Sequence, residues 1–188
     1  MNKLTIILSV IVAVTLVAIG MLFITVFKNP EPNAGPFSIS GTSEITWDDL
    51  IPEGVPYADI IGLGEQDNER DIWKPDYDQN AIQLNNDLEG KIIKLPGYVV
   101  PLDTRADGTK SFLLVPYAGA CIHTPPPPAN QIIVVETAQA WESESLYEPV
   151  WVTGTLTTNL HETELAFVGY EMNALFIEKY DIEIPPFE

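Results

Sequence analysis

From Leu4 to Phe27 the chain runs for 24 residues without a charge, most of them apolar, with Lys3 before the run and Lys28 after it. At ~1.5 Å per residue a helix of that length reaches roughly 36 Å, enough to cross a hydrocarbon core of ~30 Å with some tilt. A cleaved secretory signal has a shorter apolar region, about 7–15 residues, and small residues at its cleavage site. The exit here reads Phe27-Lys28-Asn29-Pro30-Glu31-Pro32, which offers no such site. The expectation is therefore a retained N-terminal transmembrane helix over residues 1–28, at the bacterial inner membrane. The amino terminus and Lys3 favour keeping that end inside, which places the remainder of the chain in the periplasm.

Charge separates the rest from the anchor. All 27 acidic residues but only seven of the nine basic ones follow Pro30, leaving that part with a net charge of −20. Such a balance excludes nucleic acid as a partner, because that affinity rests on Lys and Arg neutralising phosphates. It suits a solvated surface or one that attracts cations. The single cysteine, Cys121, lies too far along the chain to be a lipid-modified N-terminus, and one thiol makes no intrachain disulfide.

Residues 29–44 are rich in Pro, Gly, Ser and Asn and read as a linker, with an acidic domain over 45–188. Thr46-Trp47-Asp48-Asp49 has the spacing of a capping box and predicts a short helix over Trp47–Leu50. Asp78 is placed to cap a second helix over Asn80–Leu88, which Gly90 ends. Between them, Glu53–Gln79 shows no periodicity and reads as loop.

After Gly90 the pattern turns to strands. Lys91–Leu102 is a β-branched run bent at Pro96-Gly97, and Ser111–Pro116 and Gln131–Glu136 are compact apolar strands. Thr137–Leu146 suits a short helix. Val150–Thr158 alternates, and Leu165–Ile177 reads as a last strand that can break at Gly169. Five strands, the first bent, with a helix between the third and fourth, predict a mainly β domain. The expected fold is an OB-like five-stranded Greek-key barrel with short flanking helices, an open β-sandwich being the other arrangement of the same strands.

The segment carrying the most chemistry is Phe112–Gln131, FLLVPYAGACIHTPPPPANQ. Cys121 and His123 are two apart and in extended backbone face the same side, as two ligands for zinc would. His161, with a nearby glutamate, is the candidate that completes such a set. Equally, Cys121 serves as a small buried hydrophobe and His123 as a hydrogen-bonded loop residue. A Cys/His nucleophile pair lacks an orienting partner and an oxyanion motif, so no enzyme is expected. Pro125, Pro126, Pro127 and Pro128 form a stiff polyproline arm, a surface type that proteins recognise. With Tyr117, Asn130 and Gln131 they make the candidate partner-binding surface, expected at one end of the barrel.

Three segments together, ITWDDLIPEG (Ile45–Gly54), GKIIKLPGYVVPLD (Gly90–Asp103) and FLLVPYAGACIHTPPPPANQIIVV (Phe112–Val135), closed by GYEMNALFIEKY, resemble a bacterial envelope protein family catalogued as a domain of unknown function. In some genomes that family is encoded beside MacB-like ABC transporter genes linked to zinc limitation. The resemblance implies a periplasmic accessory or binding module of an ABC-type envelope transport system, with a transporter permease or another envelope protein as partner. It implies, as the alternative, a zinc-binding periplasmic protein that uses Cys121 and His123.

Overall fold

The computed structural model describes residues 41–68, 72–103, 105–121, 124–142 and 145–180. The expected transmembrane helix and most of the linker lie outside these residues. Among the described residues no helix is long and apolar enough to cross a membrane.

The domain is mainly β, with a closed five-stranded barrel and helical structure limited to short 3₁₀ turns. Its strands are β4 (Ile92–Pro101), β5 (Thr109–Val115), β6 (Ile133–Trp141), β7 (Pro149–Glu162) and β8 (Phe167–Lys179). Around the barrel the order is β4-β5-β6-β8-β7, and β7 returns to β4. All neighbours are antiparallel except β6 and β8, which run parallel from Ile133↔Tyr170 to Thr137↔Ala174. Three short strands precede them: β1 (Ser43–Glu44), β2 (Glu65–Asp67) and β3 (Ile72–Lys74).

The bent strand is the element that closes the barrel. β4 pairs with β7 over Ile92–Tyr98 and with β5 over Tyr98–Pro101, so it changes partner just after Pro96-Gly97. Gly97 permits the bend because a Cβ there would lie 2.7 Å from Leu114 Cγ and 3.0 Å from the Trp47 ring. Trp47 is fixed in turn by its Nε1–H, which donates to Pro96 O at 2.8 Å. Alternate residues of the strands, among them Leu95, Val99, Phe112, Leu114, Val135 and Met172, fill the interior.

Several expectations need correction. The capping box forms, with Asp49 Oδ2 accepting from the Thr46 N–H at 2.7 Å, but it opens a 3₁₀ turn over Asp48–Leu50. Asp78 does cap, accepting from Asn80 N at 2.9 Å, yet the helix over Asn80–Leu88 is replaced by two 3₁₀ turns, Gln79–Ile82 and Asn86–Leu88. Asn85 breaks it: its side chain accepts from Asp87 N, and its own N–H takes a proton acceptor in Tyr170 Oη. The helix over Thr137–Leu146 is absent from the described part of that stretch, since β6 runs on to Trp141. Thr137 pairs with Ala174 and Trp141 with Thr109, so pairing on two sides overrides the local preference. The linker expectation fails at its end, where Ser43 and Glu44 pair with Ile93 and Lys94. The loop expected over Glu53–Gln79 contains the β2–β3 hairpin. β8 passes through Gly169 without a break; a Cβ there would meet Leu84 Cδ2 at 2.5 Å and Ala129 O at 2.8 Å, so this glycine admits the covering segments to the barrel wall.

The β4–β5 connection is organised by one carboxylate. Asp103 Oδ1 accepts from Thr109 Oγ1, Lys110 N and Ser111 N at 2.6, 2.9 and 3.1 Å, while Arg105 pairs with Oδ2. The Thr109 hydroxyl, then Arg105, hold its pKa well below the usual carboxylate range. A depressed carboxylate stabilises the fold above its unfolded pKa of ~3.9, and that contribution drains away as pH falls toward the folded value. The urea midpoint of wild type should therefore fall more steeply below about pH 4 than that of Asp103→Asn. Parallel acid limbs in the two proteins would remove Asp103 from this role.

Candidate functional site

The run Phe112–Val115 is buried throughout, which an ordinary barrel strand with one wet face would not be. Phe112 and Leu114 point inward, whereas Leu113 and Val115 join a second apolar cluster with Ile132, Val134, Ala120, Cys121 and Val168. The segment after β5 thus folds over the outer wall of β5 and β6, rather than projecting from one end of the barrel.

Its turn is tightly specified. Thr124 N and Oγ1 both donate to Gly119 O, at 3.0 and 3.1 Å. Cys121 adopts a φ of 69°, a left-handed conformation that costs a non-glycine residue of order 1–3 kcal/mol. Tyr147, itself at φ 61°, donates its hydroxyl to Ala120 O at 2.9 Å and holds the strained turn in place.

The proline arm is received by the chain's own aromatics. Tyr117 Oη donates to Pro125 O at 3.2 Å, and Tyr77 Oη donates to Pro126 O at 3.0 Å. Pro126 and Pro127 are buried, as are Asn130 and Gln131. Asn130 Nδ2 donates to Asn80 O and Gln83 O, and Gln131 Nε2 donates to Trp47 O and Asn130 O. Of the seven residues expected to meet a partner, these four are buried, Pro127 and Gln131 keeping a place in the wall of a cleft. Tyr117 and Pro125 stay exposed, and Pro128 is half-buried.

Two clefts flank the docked arm and share Tyr77 and Pro127. One, about 480 Å³, has Ala81, Pro126, Pro127 and Ala166 in its wall, with Ile82 and Phe167 exposed beside it. Across its mouth Lys74 Nζ bonds Glu162 Oε1 at 2.7 Å, which ties the β2–β3 hairpin to the end of β7. The other, about 540 Å³, lies among Tyr57, Tyr77, Tyr117, Pro116, Pro128 and Gln131. Burial first, then Asp48, pushes the Tyr57 phenol up to about 12; burial likewise pushes Tyr77 to about 12 and raises Tyr117. All three stay protonated at neutral pH. Next to this cleft the chain exposes Ile60, Ile61 and Leu63, the last two by 67% and 95%.

Sequence reasoning passed over Tyr57, Tyr77 and the Ile60–Leu63 stretch. The available signal was an apolar cluster, ADIIGLG, inside a segment otherwise made of Pro, Asp and Gly.

The metal expectation is not assembled by the described residues. Cys121 is 4% exposed, and burial pushes its thiol up to about 12, away from the thiolate a metal requires. His161, on β7, has Nδ1 3.1 Å from Asn159 O and Nε2 3.6 Å from Glu171. His123 lies outside the described residues. Among those described, no three His, Cys, Asp or Glu residues come together in a way that would hold a metal ion.

A family model described as "Protein of unknown function (DUF3299)" matches residues 47–179. A crystal structure of a DUF3299 family protein from Pseudomonas aeruginosa is similar at 38% identity and a TM-score of 0.60, over 76% of this chain and 98% of its own. A putative aspartyl-tRNA synthetase from Leishmania major aligns at 11% identity and a TM-score of 0.36, over 89% of this chain and 27% of its own, a likeness too weak to carry an argument. No curated protein matches the chain.

Proposed function

The chain belongs to the DUF3299 family of proteins of unknown function, and from that premise we propose that it is a non-enzymatic binding module of the bacterial envelope. In this reading the apolar run Leu4–Phe27 tethers it to the inner membrane, and an OB-like barrel in the periplasm docks on a membrane partner. A permease of an ABC-type transport system is the partner the reading names. The strand order β4-β5-β6-β8-β7, with a bent first strand and one parallel pair, supports the OB-like assignment. Such barrels take ligands on their loops and outer strands, so the fold is compatible with docking without dictating it.

The observation that supports it is that Ile60, in the wall of the tyrosine cleft, and Ile61 and Leu63 just after it in the chain stand in water. Apolar side chains grouped this way are costly to leave solvated and mark interaction surfaces. The neighbouring Asp59, Glu65 and Asp76 disfavour immersion in an anionic lipid surface and suit a protein with a basic rim.

Photo-crosslinking from native membranes tests this. A crosslinker at position 61 or 63 is expected to capture one and the same membrane protein, identifiable by mass spectrometry. A crosslinker at Glu136, exposed on β6, is expected to capture none of it. Equal capture from all three positions, or none from 61 and 63, would overturn the docking surface.

A further inference from the structure

The cleft among the three tyrosines has an unusual hydrogen-bonding character. Gln131 is 2% exposed, and its amide orientation is fixed because Nε2 faces two carbonyls, Trp47 O and Asn130 O, each at 2.9 Å. Its Oε1 is therefore the atom turned toward the cleft. Among the described residues Tyr57 Oη approaches it, at a long 3.5 Å. That hydroxyl has one proton, and the 2.6 Å bond to Asp48 Oδ1 takes it. Gln131 Oε1 thus has only this long, shared contact and keeps acceptor capacity for a donor entering the cleft.

The other polar atoms of the wall share this bias. Tyr77 and Tyr117 spend their protons on Pro126 O and Pro125 O, so their phenolic oxygens can only accept from an incoming group. Pro116, Pro127 and Pro128 have no N–H to give, and the exposed Asp59 adds a carboxylate at the rim. A cavity of about 540 Å³ with aromatic walls, acceptors and negative charge selects a flat cationic donor. Guanidinium meets these demands better than ammonium, since it stacks on aromatic faces and presents five donors in a fixed fork.

We propose that this cleft receives an arginine side chain of the docking partner, its guanidinium donating to Gln131 Oε1 and stacked between the tyrosine rings. The proposal rests on the docking reading and names the partner's anchor. Asp59 contributes attraction from the rim.

N-acetyl-arginine amide is the probe, and N-acetyl-citrulline amide its uncharged isostere. In titrations followed by NMR, the arginine compound should shift the Gln131 side-chain amide and the Tyr57 and Tyr77 ring signals. The citrulline compound should bind at least about fivefold more weakly, as should the arginine compound to Asp59→Asn, whose melting temperature should match wild type. Equal binding of the two compounds, or no shift at Gln131 and Tyr57, overturns the site while leaving crosslinking from position 63 unaffected. If the arginine compound binds but Asp59→Asn captures the membrane partner as well as wild type does, the cleft serves a free cation and its assignment to the partner is wrong. Loss of crosslinking together with retained arginine binding would instead strike the docking reading.

Discussion

Replacing Tyr170 with phenylalanine is expected to lower the melting temperature by roughly 5 °C, from the loss of one oxygen atom. Tyr170 is fully buried on β8, and its hydroxyl donates to Leu50 O at 2.5 Å and accepts from Asn85 N at 2.7 Å. It is therefore the point where the segments preceding the barrel are fastened to the wall. Phenylalanine would keep the ring packing and leave Leu50 O and Asn85 N with only their own 3.3 Å hydrogen bond, a loss of about 1–3 kcal/mol in all. For a domain of this size each kcal/mol shifts the midpoint by roughly 2–4 °C. Tyr170→Ala adds a cavity to the interior and should cost about 3–5 kcal/mol more than the hydroxyl alone. A change under about 2 °C in the phenylalanine variant would show that the bridge is not what couples these segments to the barrel.

The same fastening explains where the sequence could be read and where it could not. Strands β4, β5, β7 and β8 were legible because each carries its own pattern of apolar and β-branched residues, and the Pro96-Gly97 bend marks the partner change within β4. Thr46 with Asp49, and Asp78 with Asn80, were legible because a cap is a contact within three residues. The stretch Thr137–Trp141 misled because its Ala and Gln favour a helix locally, while Thr137 pairs with Ala174, 37 residues later, and Trp141 with Thr109, 32 residues earlier. Asn80–Leu88 has helical apolar spacing, yet Asn130 takes the carbonyls of Asn80 and Gln83 as its own acceptors.

The candidate site was half visible for the same reason. The polyproline arm stands out in the sequence, and its stiffness made it look like a surface offered to others. What covers it, Tyr77, comes from a segment without periodicity 49 residues earlier. Nor does anything near Gln131 indicate that its amide is claimed by Trp47, 84 positions away. The surface that remains open is thus the rim around the arm, Tyr57 to Leu63 together with Tyr117, rather than the arm itself.

In the proposed reading this rim is a docking surface that the fold does not need. The double substitution Ile61→Asp and Leu63→Asp tests it most directly, with melting temperature and partner capture measured on the same preparations. Both side chains are largely exposed, so stability should stay within about 2 °C of wild type. Two carboxylates placed at the centre of an apolar contact should reduce capture at least tenfold, the equivalent of about 1.4 kcal/mol and well within what a desolvated charge costs. Wild-type capture by a double variant that melts with wild type would rule out docking through Ile61 and Leu63.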